Sequence, residues 1–154
     1  MDIAQLLHQS SAQILEAAEK GMERSHLPNY EAAGKEQIHQ RLKALYVLTT
    51  RAVKERNLGP MTAYAETVAR ERYAAGFDLS EVQTAFNVLE EAIWRYIVRN
   101  VPPAEYAEAL GLVGTVLGAG KDSLARTYVS LASKSRTKSM NLQKLFSGTE
   151  GGWS

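Results

Sequence analysis

Apolar side chains recur along most of this chain at the three- and four-residue spacing of an α-helix. In the first segment the repeat consists of Ile3, Leu7, Ile14, Ala18 and Met22. This spacing places the apolar side chains on one helix face and leaves the polar residues on the other. The two-residue alternation of a half-buried strand is not seen. The pattern therefore predicts an all-α chain.

Glycine, proline and capping residues divide this pattern into helices. We predict five of them, over about residues 1–24, 29–56, 61–75, 80–100 and 103–133. Gly34 weakens the first turns of the second helix and favours a later start. Pro60 suits the first position of the third helix, and Gly76 suits a left-handed end to it. Ser80 and Gln83 form a capping box for the fourth helix.

The fifth helix is the longest, about 45 Å at 1.5 Å per residue. Its apolar positions are Tyr106, Leu110, Val113, Leu117, Leu124, Tyr128 and Leu131. Their spacing averages about 3.5 residues, which is typical of a helix that packs lengthwise against another helix. The fold class predicted is therefore an all-α bundle of five or more helices with a long C-terminal helix.

Four glycines lie within this helix, at Gly111, Gly114, Gly118 and Gly120. Each is about 1 kcal/mol less favourable than alanine in a helix interior. The first three share one face because they are three and four residues apart. Three explanations are open: packing within the chain against Trp94 or Phe86, a helix contact across a homodimer, or room for a small ligand.

Composition narrows the class of protein. The chain has 154 residues, a net charge of +1 and no cysteine. The balanced charge argues against a general electrostatic grip on nucleic acid or membranes. The absence of cysteine excludes disulfides and thiolate metal sites. No apolar stretch reaches the roughly 18 residues of a membrane span, and no secretory signal is visible. We expect a cytoplasmic protein with one domain over residues 1–133 and a basic, Ser- and Gly-rich tail or linker over residues 134–154.

The residue types that carry catalysis or bind metals do not form a recognisable set. No two of His8, His26 and His39 share a helix face, so no metal site is indicated. Glu90 and Glu91 are adjacent and point about 100° apart, which rules out a facing acid–base pair. No phosphate-binding motif is present. We predict no enzymatic activity, no metal and no cofactor.

A compact helical bundle of this length resembles a globin, so haem is the first cofactor to consider. A globin-type pocket needs an axial ligand, usually histidine, in the middle of the chain. The segment 58–128 contains no histidine and no cysteine, and Tyr73, Tyr96 and Met61 are more simply explained as core residues. A haem- or small-ligand-binding sensor is therefore kept only as the alternative function.

The segment 71–97 resembles the central part of the N-terminal sensor domain of RsbT co-antagonist (RsbR-type) proteins. The matching positions are Arg72, Gly76, Leu79, Val82, Phe86, Leu89, Ile93 and Trp94. The resemblance extends from about Leu6 to Leu131. It rests on packing positions, because none of these residues carries chemistry.

The resemblance implies a globin-like fold without haem, homodimerisation, and a last helix that leads toward an output module. In such proteins the output is commonly a STAS domain of the stressosome, and related domains precede histidine kinases. We expect a non-enzymatic sensor and dimerisation domain of stress signalling; a histidine-kinase sensor domain is a further alternative. No output module follows within the 154 residues, so we expect a piece of a longer protein or a stand-alone relative. We predict that the dimer interface comprises Leu110, Val113, Gly114, Leu117, Gly118, Leu124 and Tyr128.

Overall fold

The structure, a computed structural model, describes the backbone of residues 2–150 and the side chains of residues 2–136. This part of the chain contains seven α-helices and one 3-10 turn, without a strand. The helices are α1 (Ile3–Gln9), α2 (Ser11–Ser25), α3 (Pro28–Ala33), α4 (Lys35–Glu55), α5 (Gly59–Ala74), α6 (Leu79–Asn100) and α7 (Tyr106–Glu150), with the 3-10 turn at Pro103–Glu105. The prediction of an all-α bundle with five or more helices and a long last helix is confirmed.

Each of the first two predicted helices is divided into two. The chain turns at Ser10, whose hydroxyl donates a hydrogen bond of 2.6 Å to the Tyr96 hydroxyl of α6. The second break is at Gly34, where φ is +90°. Glycine adopts this backbone conformation readily. Helix α4 starts at the next residue, in agreement with the later start predicted for the second helix.

The ends of two helices show how the sequence sets their limits. Gly76 has φ of +85° and ends α5, and the Phe77 N–H then donates to the Arg72 carbonyl at 2.9 Å, as in a Schellman motif. The prediction of a capping box at Ser80 was wrong. Extended backbone at Asp78 already precedes the first turn, so α6 starts at Leu79 and Ser80 lies inside the helix.

The core forms where α7 packs against α5 and α6, while α2 packs on α6, and α1 and α2 pack on α4. The largest fully buried side chains include Leu7, Ile14, Tyr46, Met61, Leu89, Ile93 and Leu117. They come from helices all along the chain and form one continuous core. Over the described residues, no helix combines the length and the hydrophobicity that crossing a membrane requires.

The predicted tail, residues 134–154, lies mostly outside the residues whose side chains the structure describes. The backbone of α7 passes through the predicted boundary at residue 133 and remains helical to Glu150. Within the described part, all side chains from residue 132 to residue 136 are exposed. The core therefore ends before the predicted boundary, although the helix does not.

Candidate functional site

Four of the seven residues predicted for a dimer interface are buried within the chain itself. Val113, Leu117, Leu124 and Tyr128 are at most 6% exposed. They lie on the side of α7 that packs against α5 and α6. The Tyr128 hydroxyl also donates a 3.2 Å hydrogen bond to the carbonyl of Phe77. In this structure the four side chains hold α7 to its own chain and are not accessible to a second copy.

The other three residues, Leu110, Gly114 and Gly118, are partly exposed. Apart from the adjoining residues and backbone of α7 itself, a Cβ atom added at Gly118 or at Gly111 would meet no described atom within 4 Å, and one at Gly114 would meet only Glu90 Oε2 at 3.9 Å. Packing within the chain against Trp94 or Phe86 therefore does not explain these three glycines. A contact with a second copy and room for a ligand remain as explanations.

Gly120 has a different environment. A Cβ atom there would lie 2.9 Å from Sδ of Met61 and 3.0 Å from Cε2 of Phe86. Alanine at this position would require Met61 and Phe86 to shift, so glycine lets these side chains of α5 and α6 pack closer to α7 than alanine would. Packing against Phe86 is thus the correct explanation for this glycine.

Helices α6 and α7 run antiparallel with a defined register. The Lys121 ammonium contacts Glu90 Oε1 at 2.7 Å, and the Tyr106 hydroxyl donates to the Val98 carbonyl at 2.7 Å. Trp94 is four residues from both Glu90 and Val98, so it lies on the same face of α6. Trp94 is 45% exposed and Val98 40% exposed. We use the name α6–α7 face for the surface formed by Trp94, Val98, Leu110, Gly111, Gly114 and Gly118.

A second group of side chains lies between α3, α4, α5 and the start of α6. We call it the aromatic–arginine cluster; it comprises Tyr30, Arg41, Tyr64, Arg72 and Phe77. The rings of Tyr30 and Phe77 meet edge to face at 5.0 Å. The guanidinium carbons of Arg41 and Arg72 lie 5.4 and 5.7 Å from the centroid of the Phe77 ring. Both cations are thus within cation–π distance of one ring.

Burial changes the protonation equilibria of this cluster. Desolvation lowers the pKa of Arg41, and the positive charge of Arg72 lowers it further. Desolvation also raises the pKa of Tyr30 and of Tyr64, against the opposing effect of the Arg72 charge. Both phenols are therefore protonated at neutral pH and can donate a hydrogen bond.

Two acidic groups lie near the cluster. Glu81 is buried and accepts hydrogen bonds from Asn29, at 3.2 Å from the backbone N–H and at 2.7 Å from the side-chain amide. Glu71 is largely exposed and approaches Arg72 Nη1 at 3.5 Å. Asn29 therefore already occupies both oxygens of the one buried carboxylate among the described residues.

Of these five residues, only Arg72 was identified from the sequence, as a packing position of the family resemblance. Arg41 was missed, although it lies three residues after Ile38 and four before Leu45, on the apolar side of α4. That spacing is the signal that identifies it.

The histidines do not converge. His39 Nδ1 contacts Glu19 Oε1 at 2.5 Å, and His26 contacts Glu31 at 3.3 Å, both as separate pairs. No group of three or more histidine, aspartate or glutamate side chains among the described residues is arranged to hold a metal ion.

The sequence profile of a family described as "RsbT co-antagonist protein rsbRD N-terminal domain" matches residues 5–134. The chain belongs to this RsbT co-antagonist family. The resemblance predicted for residues from about Leu6 to Leu131 is confirmed. Comparison with curated proteins and with solved structures found no match. In this RsbT co-antagonist N-terminal domain, the matched region contains α2 to α6 and all the α7 side chains that are buried among those described.

Proposed function

We propose that this RsbT co-antagonist domain is a non-enzymatic sensor and dimerisation module that relays a signal through α7. The observation that carries the proposal is the dual environment of α7. One side of the helix is buried against α5 and α6, whereas the other presents glycines that no contact within the described chain explains. Membership of the RsbT co-antagonist family supports a role in stress signalling.

The α6–α7 face is the proposed homodimer interface. Trp94 and Val98 are exposed apolar side chains on the face of α6 that also carries Glu90, and Glu90 Oε2 lies 3.9 Å from a Cβ atom placed at Gly114. Tryptophan is enriched among the residues that dominate binding energies. Each glycine weakens the helix by about 1 kcal/mol relative to alanine, and close approach of a second helix would offset this loss. A second copy related by a two-fold axis would bring the same face against itself.

The proposed signalling step is a shift in the packing of α7 between two dimer arrangements. Since α7 continues beyond the core to Glu150, such a shift would displace whatever follows it. The proposed partner is an output module or another protein of a stressosome-type assembly in the cytoplasm. Nucleic acid is not proposed as a partner, because the net charge is only +1.

Light scattering after size exclusion tests the dimer. The wild type is expected at twice 17.0 kDa. Trp94→Glu places a charge in the interface, and Gly118→Leu fills the close approach; both variants are expected at the monomer mass. Val47→Glu and Ala44→Leu are matched controls on α4, where Val47 is 57% exposed, and both should remain dimers.

A wild-type mass of 17.0 kDa at every concentration would disprove the dimer. Dimers that persist in both the Trp94→Glu and the Gly118→Leu variants would place the interface elsewhere. Circular dichroism on each variant shows whether a change of mass arises from association alone.

The alternative of a haem-binding sensor is not favoured by the interior. The cavity between α4, α5 and α6 has a volume of about 20 Å³, because the aromatic–arginine cluster fills the surrounding space. Haem would need this cluster to be displaced. Absorbance near 400 nm after addition of haem tests this directly, and a band there would restore the alternative.

A further inference from the structure

A pocket with a volume of about 230 Å³ lies between α2 and α6. The two helices run antiparallel, because Ser10 at the start of α2 hydrogen-bonds Tyr96 near the end of α6, whereas Gly21 lies against Val88. We use the name α2–α6 pocket for this space; the residues that line it include Ala17, Gly21, Arg24, Ala92, Arg95 and Arg99. At about 30 Å³ per water molecule, the pocket has the volume of about eight waters, which is enough for a small organic molecule.

Small residues account for the space between the two helices. Ala17 and Gly21 are four residues apart on α2, and Ala92 lies opposite them on α6. None of the three carries more than a methyl group, so no side chain from these positions fills the pocket. The wall combines this apolar surface with polar surface from its longer side chains. Such a wall suits a ligand that has an apolar body and charged groups.

The long side chains that line the pocket are mostly cationic. They comprise Lys20, Arg24, Arg95 and Arg99, with Glu91 as the one carboxylate among the lining residues. The whole chain has a net charge of only +1, so this pocket is more positive than the chain as a whole. Two of the cations are already paired. Lys20 contacts Glu16 at 3.3 Å, and Arg95 Nη2 contacts Glu91 Oε1 at 2.7 Å.

Arg24 and Arg99 form no ion pair with a described residue. Each lies four residues after a cation of its own helix, Lys20 or Arg95, and like charges at this spacing repel each other. Arg24 Nη2 lies 3.7 Å from a Cβ atom placed at Gly21, which brings its guanidinium to the wall of the pocket. Both arginines therefore have N–H donors for a negatively charged ligand, whose binding would offset the repulsion.

The two unpaired arginines lie at opposite ends of the pocket. Each is in the last turn of its helix, and the helices are antiparallel. The guanidinium of Arg24 lies at Gly21, beside Val88, whereas Arg99 is eleven residues after Val88, about 16.5 Å along α6. This separation favours a molecule with a negative group at each end over a single small anion.

We propose that the α2–α6 pocket binds a small aliphatic dicarboxylate. One carboxylate pairs with Arg24 and the other with Arg99, since a guanidinium group matches a carboxylate in charge and geometry. The methylene chain lies against Ala17 and Ala92. No residue of the α6–α7 face lines this pocket, so the inference does not depend on the proposed dimer.

An NMR titration of the isotope-labelled protein with adipate, at constant ionic strength, tests the site. Adipate should shift the backbone amide resonances of residues 13–24 and 88–100, and the shifts should saturate. Hexanoate has the same chain length but one carboxylate, and its Kd should be higher by up to about fivefold, the effect of one exposed ion pair. 1,6-Hexanediol has no charge and should produce no saturable shift.

Two variants assign the carboxylates to their arginines. Arg99→Gln removes the partner of one carboxylate, so this variant should bind adipate no more tightly than hexanoate. Arg24→Gln should abolish the preference in the same way. Arg70→Gln is the matched control and should keep the preference, because Arg70 is an exposed arginine of α5 that does not line the pocket.

Ala17→Leu tests the apolar part of the pocket. The larger side chain would occupy the space of the methylene chain, so both adipate and hexanoate should bind more weakly. Ala12→Leu adds the same side chain at an exposed position of α2 outside the pocket and should leave both affinities unchanged. Circular dichroism shows that each variant is folded.

Three results would overturn the proposal. The first is the absence of a saturable shift with adipate, or shifts that lie outside the two helices. The second is equal affinity of the wild type for adipate and hexanoate. The third is an undiminished preference for adipate in either Arg24→Gln or Arg99→Gln.

Discussion

Alanine at Gly118 and alanine at Gly120 are expected to change the stability of this domain in opposite directions. The two glycines are two residues apart in the same helix, and both have ordinary helical backbone angles. The same methyl group is added in each case. The outcome therefore depends on the surroundings of the new Cβ atom alone.

The expected magnitudes follow from these surroundings. At Gly118 no described atom outside the adjoining residues and backbone of α7 lies within 4 Å of the new Cβ, so Gly118→Ala gains the helix propensity of alanine, about 1 kcal/mol. At Gly120 the new Cβ would lie 2.9 Å from Met61 Sδ and 3.0 Å from Phe86 Cε2. Overpacking of this kind costs about 1–3 kcal/mol. After the gain of about 1 kcal/mol in propensity, Gly120→Ala should be destabilised by about 0–2 kcal/mol.

Urea unfolding monitored by circular dichroism gives the free energy of unfolding of each variant. Comparable m-values would show that the surface exposed on unfolding is unchanged. Because Gly118 also lies in the proposed dimer interface, the measurements should be made in the Trp94→Glu background. The comparison then reports on packing within one chain and not on association.

A Gly120→Ala variant that is as stable as Gly118→Ala would refute the close contact at Gly120. Met61→Ala provides a further check because it removes the sulfur nearest to the new Cβ. In that background Gly120→Ala should cost less than in the parent, although the contact with Phe86 Cε2 at 3.0 Å remains. The difference between the two backgrounds is the coupling energy of the contact, and additive effects of the two substitutions would show that Met61 is not the obstacle.

Three further predictions concern buried polar groups. The Tyr46 hydroxyl donates to the carbonyl of Leu7, so Tyr46→Phe should lower the free energy of unfolding by about 1–3 kcal/mol in urea titrations. An unchanged midpoint would contradict this. Glu81→Gln leaves Asn29 with one carbonyl oxygen in place of two carboxylate oxygens and should cost about 1–3 kcal/mol in the same assay, whereas the exposed control Glu66→Gln should have no effect. Burial raises the pKa of Tyr128 to about 12, while the unfolded phenol ionises near 10. The unfolded state therefore loses its proton first, and the stability contributed by the neutral phenol is present below pH 10 and falls between about pH 10 and 12. In Tm measurements against pH, Tyr128→Phe should show a shallower fall, and an identical slope would refute the shift.

Apolar periodicity predicted the helices because it records which face of each helix is buried. It could not identify which helix packs against that face. Val113 and Leu117 have the spacing of a coiled-coil seam, and the sequence does not state whether the opposing helix belongs to the same chain. The structure shows that α5 and α6 supply it, which leaves only the glycine side of α7 for other contacts.

Features that depend on distant residues were harder to predict. The break at Ser10 involves a hydrogen bond to Tyr96, 86 residues away. Gly120 is distinguished from Gly118 only by the positions of Met61 and Phe86 on other helices.

Charged residues inside an apolar stripe were the other source of error. A single arginine such as Arg41 is usually assigned to a solvated helix face. Its spacing from Ile38 and Leu45 indicates partial burial, but its contact with Phe77, which lies after the end of α5, depends on a distant part of the chain. A charged residue at an apolar position of a helix is therefore worth testing for a partner elsewhere in the chain.

The uninterrupted helix α7 also determines the orientation of any segment joined to its C-terminal end. Among the side chains described up to residue 136, the last buried one is Tyr128, and the Tyr73 hydroxyl still contacts Ser135 at 2.9 Å. The core therefore sets the rotation of the helix about its own axis. Any segment joined as a continuation of α7 would keep this rotational orientation about the helix axis. One inserted residue would turn the segment by about 100° and advance it by about 1.5 Å, whereas seven would restore nearly the same phase about 10 Å further along. The domain thus specifies the helical phase, as well as the position, of any segment that is joined to the end of α7.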